Sequence, residues 1–300
     1  MSTVTTATPA TREDPIRGII LVVVAMAFLS CSDAVAKYLN QTLPAIEIAW
    51  LRYVGFSLLV LPLILRGGPA VVRTRQPGLQ ILRGLGMLGS ALFFILGMRY
   101  LPMAEAAAMS YVSPAFVTAL SIPLLGERVG VRRWAAVAVG LIGVLIVIRP
   151  GSGAFQAASV FPILSAMSWA CGMVITRRMA GTEHPVTTLI WTALTGFVAI
   201  SILLPFDAVR PTTTEIALGL LIGVVSTVGQ WLLILAYRHG DASVLAPFSY
   251  IQLIWSAGLG YLVFAAVPDR WTFVGAAVIA ASGLYTAHRE RLRAGFRGKY

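Results

Sequence analysis

Few residues in this chain could do chemistry, and their spacing limits what that chemistry could be. Asp33 and Lys37 stand four apart, so on a helix they share one face. Set among apolar residues, they suit a polar seat for a zwitterionic substrate or a coupling proton. They equally suit a structural ion pair that locks the helix. Arg52 could offer two parallel donors to a substrate carboxylate, or pair with Asp33 or Glu47. Asp33, then Glu47 and Glu105, are the acidic candidates for ion coupling. Ser110-Tyr111 and Ser249-Tyr250 recur 139 residues apart, with Pro114 just after the first pair and Pro247 just before the second. A proline frees a backbone carbonyl that a cavity or neighbouring helix must satisfy. These stretches are therefore expected as cavity walls with Pro114 and Pro247 as hinges; hydrogen bonding between helices is the alternative.

Other candidates are softer. Gln230 and Gln252 are uncharged amides within apolar runs and suit substrate contact or bonding between helices. Trp50, Phe94, Trp169, Trp231 and Tyr250 could form a pocket for a flat, amphipathic substrate, although membrane tryptophans also serve as interface anchors. Glu127 and Arg128 read as a loop-stabilising pair. Enzymatic chemistry finds no support: His184, His239 and His288 are scattered, with no metal-binding spacing, nucleophile elbow or Walker loop. No catalytic residue, metal site or cofactor is assigned. Cys31 and Cys171 lie inside apolar runs and are expected as buried thiols, not a disulfide.

These residues must be positioned by membrane helices. Of 300 residues, 58% are hydrophobic and 12% charged, and the mean hydropathy is +0.83. A soluble domain carries about 25% charged residues. Apolar runs fall at 17–39, 45–65, 79–98, 103–124, 131–148, 158–178, 185–205, 214–237, 242–264 and 271–287. Each matches the length of roughly 20 residues that crosses the hydrocarbon as a helix. With the N-terminus inside, 17 of the 23 basic residues face the cytoplasm, and Arg99, Arg149, Arg210 and Arg270 face out. That asymmetry predicts ten spans with both termini inside. The net charge of +11 then reports topology, and nucleic acid is excluded as a partner.

The chain also matches itself. Cys31 and Gly143 fall on Cys171 and Gly283 at a shift of 140, and Pro44, Trp50, Gly55 and Phe56 on Pro185, Trp191, Gly196 and Phe197 at 141. Five spans per repeat is an odd number, so the repeats must insert with opposite orientation, as in secondary transporters with a mid-membrane site. Small-residue faces, Gly86 with Ser90 and Gly219 with Gly223, predict close helix contacts within the monomer.

The stretch from Pro114 to Val147 resembles the EamA domain of the drug/metabolite transporter superfamily. Its carriers are Pro114, the Leu125-Gly126-Glu127-Arg128 turn, Trp134, Gly140 and Gly143; in the second half Gly283 remains, but Ala265-Ala266 replaces Gly-Glu. The resemblance spans the membrane part and implies an all-α fold of two inverted five-helix repeats. Residues 17–149 and 150–288 would form the repeats, between a disordered tail, 1–16, and a basic cytoplasmic tail, 289–300. It further implies alternating-access export of small amphipathic metabolites, amino acids and especially aromatic ones leading, across a bacterial inner membrane, by a monomer whose partners are substrate and lipid. An importer of a nucleoside-like or vitamin-like metabolite is the second reading, and a membrane-embedded lipid enzyme the third.

Overall fold

The computed structural model describes residues 15–127, 129–150, 156–179, 181–236, 239 and 245–297. Among them there is no strand. The helices are α1 (Pro15–Leu39), α2 (Ala45–Gly67), α3 (Pro69–Val72), α4 (Pro77–Tyr100), α5 (Met103–Ser110), α6 (Ser113–Leu125), α7 (Val131–Ile148), α8 (Val160–Met179), α9 (Pro185–Leu203), α10 (Thr213–Ala236), α11 (Ile251–Phe264) and α12 (Arg270–Arg297). The expected tail at 1–16 lies outside the described residues up to 14, as does Arg128; α12 continues through the basic segment to Arg297.

Prolines and glycines set the boundaries. Pro69, Pro77 and Pro185 occupy first-turn positions, where a missing N–H costs nothing. Gly126 ends α6 at φ 68°, a left-handed turn suited to glycine. Among the described residues seven stretches are long and apolar enough to cross a membrane, and Trp134–Ile148 and Phe248–Phe264 are shorter apolar helices. The fourth of these stretches, Met103–Leu125, contains the break between α5 and α6, where Tyr111 and Val112 form a turn and Pro114 opens the next helix. A 3-10 turn, Ala246–Tyr250, precedes α11. Pro114 and Pro247 therefore stand where the helices break. Leu61, Leu65, Ile202, Leu262 and Phe273 are exposed, giving an apolar outer surface suited to lipid.

The helices of the two halves interleave. α1 runs antiparallel to α10: Gly18 meets the Ala236 carbonyl, Gly229 meets Ala25, and the Ser32 hydroxyl donates to the Ile222 carbonyl at 3.3 Å. α8 runs antiparallel to α4 in the same way, with Gly97 on Pro162 and Gly86 on Ser168. α2 lies parallel to α10, Leu51 on Gly219 and Gly55 on Gly223, and α9 lies parallel to α4, with Thr188 near Gln80 and Thr195 on Gly84. α2 packs on α9, α5 on α11 and α7 on α12. Exchanging α1 with α8, α2 with α9, α4 with α10, α5–α6 with the turn and α11, and α7 with α12 maps the pairs named here onto one another, while α2 also meets α4 without a counterpart of that extent.

Both cysteines are free, but Cys31 is exposed, not buried. It points away from the α10 contact, which α1 makes through Ser32, the next residue.

Candidate functional site

Asp33 and Arg52 sit at one depth. Asp33 is six residues before the end of α1 and Arg52 seven after the start of α2, about 9–10 Å along each axis at 1.5 Å per residue. Both are partly accessible, and the guanidinium is the charge whose field acts on Asp33. They are not in contact: among the described residues neither has a hydrogen-bond or ion-pair partner.

Lys37 does not pair with Asp33. Its Nζ donates to the carbonyls of Met98 at 2.8 Å and Leu101 at 2.7 Å, and it lies 5.5 Å from the Phe264 ring centroid. Glu47 is also spoken for, accepting from the Val209 N–H at 3.1 Å. At this Lys37 end of the bundle Glu105 stands in the fields of Lys37, Arg149 and Asp269, and Arg149 bridges to Asp269 at 2.6 Å. Asp269 caps α12 by accepting from the Thr272 N–H and hydroxyl, each at 2.8 Å. Burial pushes the Asp269 carboxyl up, but these donors and Arg149 pull harder and hold it below the ordinary carboxylate range. α5 packs tightly here: six of its eight residues are buried.

The two tyrosines meet. Tyr111 and Tyr250 stack at 4.9 Å between centroids, and the Tyr111 hydroxyl donates to the Ser249 carbonyl at 3.0 Å. Tyr250 lies against Gly283, where a Cβ would collide with its ring. Ser110 bonds back to the Ala106 carbonyl within its own helix. Gln230 and Gln252 are partly accessible, and neither amide has a partner among the described residues. Phe94 packs beside the main core, Trp169 is partly buried, and Trp231 is exposed. Pro114 is exposed at the start of α6; Pro247 lies in the 3-10 turn. Trp50 joins helices: its indole N–H donates to the Ser201 hydroxyl at 2.9 Å. Its repeat partner Trp191 does likewise to the Val72 carbonyl at 2.9 Å.

A polar network at the opposite end has little signature in the sequence. Glu183 accepts from the Arg75 N–H at 2.8 Å, Gln76 donates to Thr182 at 3.1 Å, and Gln80 donates to Thr188 at 3.2 Å. Arg83 donates to the hydroxyls of Thr176 at 2.7 Å and of Thr192. The hydroxyl pattern on α8 and α9 is the one signal that could have found it. Burial pushes the Glu183 carboxyl up, but hydrogen bonds from Thr74, Arg75, Gln80 and Gln76 outweigh it and hold it below the ordinary range. A depressed folded pKa stabilises above the unfolded value and is lost as pH falls through the folded one. The wild type should therefore lose more melting temperature between about pH 6 and about pH 3 than Glu183→Gln, because carboxylates titrate near pH 4.3. Equal losses would show that Glu183 holds nothing there.

The sequence profile of the EamA-like transporter family matches residues 16–149 and again 156–286. The chain belongs to the EamA-like transporter family. A riboflavin transporter of Rhizobium johnstonii is 32% identical over 284 residues, covering 92% of each chain. A Rickettsia prowazekii S-adenosylmethionine uptake transporter is 27% identical, covering 92% of this chain and 94% of its own. A Pseudomonas aeruginosa pseudopaline exporter is 31% identical, covering 88% and 94%. A solved structure superposes with a TM-score of 0.62 over 93% of this chain and 99% of its own, at 22% identity, which shows shared fold alone. The EamA protein described here is thus a multi-pass membrane transporter and not an enzyme.

Proposed function

We propose that this EamA protein is a ten-span secondary transporter of the bacterial inner membrane, built as two inverted five-helix repeats and working by alternating access. The set of packing pairs that survives exchange of the halves carries this reading. In a two-fold carrier the same contacts can re-form on the other side when the halves rock. The registers agree: α2 follows α10 in parallel, α1 opposes α10, and α8 opposes α4. Applied round the bundle, these directions set α1 opposite to α8 and α2 opposite to α9. The Lys37 end is then periplasmic and closed, and the Glu183 end cytoplasmic.

The substrate is a small amphipathic metabolite carrying a flat ring. The stacked Tyr111–Tyr250 pair at the two breaks offers a surface for such a ring, and the Gln230 and Gln252 amides are open to its polar atoms. Export of aromatic amino acids is the reading the sequence favours. Import of a nucleoside-like or vitamin-like compound is the second, and a specific observation supports it: relatives named for riboflavin and for S-adenosylmethionine uptake align over nearly the whole chain.

Counterflow in proteoliposomes tests both. Preloaded vesicles should accumulate labelled tryptophan under the first reading, and riboflavin or S-adenosylmethionine under the second. Lipid modification without counterflow of any of these would overturn the transport reading of the site.

A further inference from the structure

Several charges of the membrane part are bonded within the protein. Lys37 is held by two carbonyls, Arg83 by two threonines, Glu47 by a backbone N–H and Arg149 by Asp269. Asp33 and Arg52 carry opposite charges, and neither closes a bond among the described residues. Opposite charges held apart in a low-dielectric site are costly, and a flexible pair would collapse together. The backbones of these two residues lie against a single turn of α10. Ser32, beside Asp33, donates its hydroxyl to the Ile222 carbonyl at 3.3 Å. The next residue, Gly223, lies directly against the Arg52 carbonyl oxygen. One turn of α10 therefore carries the backbones of both residues.

We propose that Asp33 and Arg52 are the two poles of a seat for an amphoteric substrate group, one with a cation and a carboxylate a few bonds apart. The cation donates to Asp33. The carboxylate accepts the two parallel N–H donors of Arg52. A ligand with one charge leaves the opposite pole uncompensated, and a neutral ligand leaves both. The two unbonded poles are thus the selective element, and this rests on the transporter reading above.

The test uses the full-length protein in proteoliposomes and five labelled probes: tryptophan, S-adenosylmethionine, tryptamine, indole-3-propionate and riboflavin. Tryptophan or S-adenosylmethionine should exchange. Tryptamine and indole-3-propionate, each lacking one pole, should exchange at least tenfold more slowly than tryptophan if tryptophan is carried. Asp33→Asn and Arg52→Gln should each cut exchange of the amphoteric probe at least tenfold, and the double variant should be no slower than the slower single one. Melting temperatures in detergent separate this from misfolding, and charge-exchanged Asp33→Arg with Arg52→Asp should recover part of the rate if either single variant is unstable. Exchange of riboflavin alone, unchanged in Asp33→Asn, overturns the seat and leaves the transporter reading standing. Loss in Asp33→Asn with full activity in Arg52→Gln also overturns it, and assigns Asp33 to proton coupling. Exchange of no probe overturns the seat and the transport reading for these chemistries together.

Discussion

Gly223→Leu is expected to abolish the folded transporter. α10 crosses α2 with Gly223 on Gly55, and a Cβ at position 223 would stand 2.8 Å from the Gly55 Cα and 2.8 Å from the Phe56 nitrogen, and against the Arg52 carbonyl oxygen. All three are backbone atoms, so no side chain can rotate away. Overpacking a core usually costs about 1–3 kcal/mol when neighbours can adjust; here the helices themselves must separate. Contact through small residues is a main source of helix association in lipid, where no hydrophobic drive exists between helices. The variant should give no monodisperse peak in detergent and no counterflow. Gly258→Leu is the matched control, since nothing stands within 4 Å of a Cβ there, and it should purify normally. A well-folded Gly223→Leu would refute the close approach of α2 to α10, and with it the shared turn of α10 that carries Asp33 and Arg52.

The helix contacts around Gly223 are legible in residue type and spacing alone. Gly219 with Gly223 reads as a small-residue face, and the 141-residue shift pairs Trp50 with Trp191 and Gly55 with Gly196. What such pairs do is less legible. Both tryptophans donate across helices, Trp50 to Ser201 and Trp191 to Val72, because an indole N–H at depth needs an acceptor, and only the fold says which one is near. Asp33 and Lys37 share a helix face, yet Lys37 reaches carbonyls more than sixty residues away at the end of α4. A backbone acceptor leaves no trace in residue type. Arg83 counts among the cytoplasmic charges when topology is read from basic residues, but it stands within α4, bonded to hydroxyls of α8 and α9. Span counting has a physical limit as well. α7 carries Arg132 and Arg133 in its first turn, leaving Trp134–Ile148 as its apolar stretch, and the 3-10 turn shortens α11. Both fall short of a full apolar span, although the sequence around them is continuous.

Lys37→Met is expected to unseal the closed end. The ammonium caps two of the last carbonyls of the α4–α5 junction, groups that a helix end leaves without partners. Leu101 and Met103 beside them are buried, so water cannot readily replace the donor. A hydrogen bond to a charged group contributes about 1.5–3 kcal/mol, and the loss of two, together with the contact to the Phe264 ring, should lower stability by about 3 kcal/mol or more. Methionine keeps the stem's apolar packing, so the loss isolates the charge. Leu101→Cys reports the opening: its thiol should resist a membrane-impermeant maleimide in the otherwise unaltered protein and react readily beside Lys37→Met. Lys37→Arg should fall between, because a guanidinium can donate to two carbonyls but is wider than the space an ammonium fills. Under alternating access, a carrier that no longer closes this end would favour its other conformation, so counterflow should slow even where substrate still binds. An unchanged melting temperature with an unreactive thiol in Leu101→Cys would mean that α5 seals the end by packing alone, and that Lys37 is a passenger there.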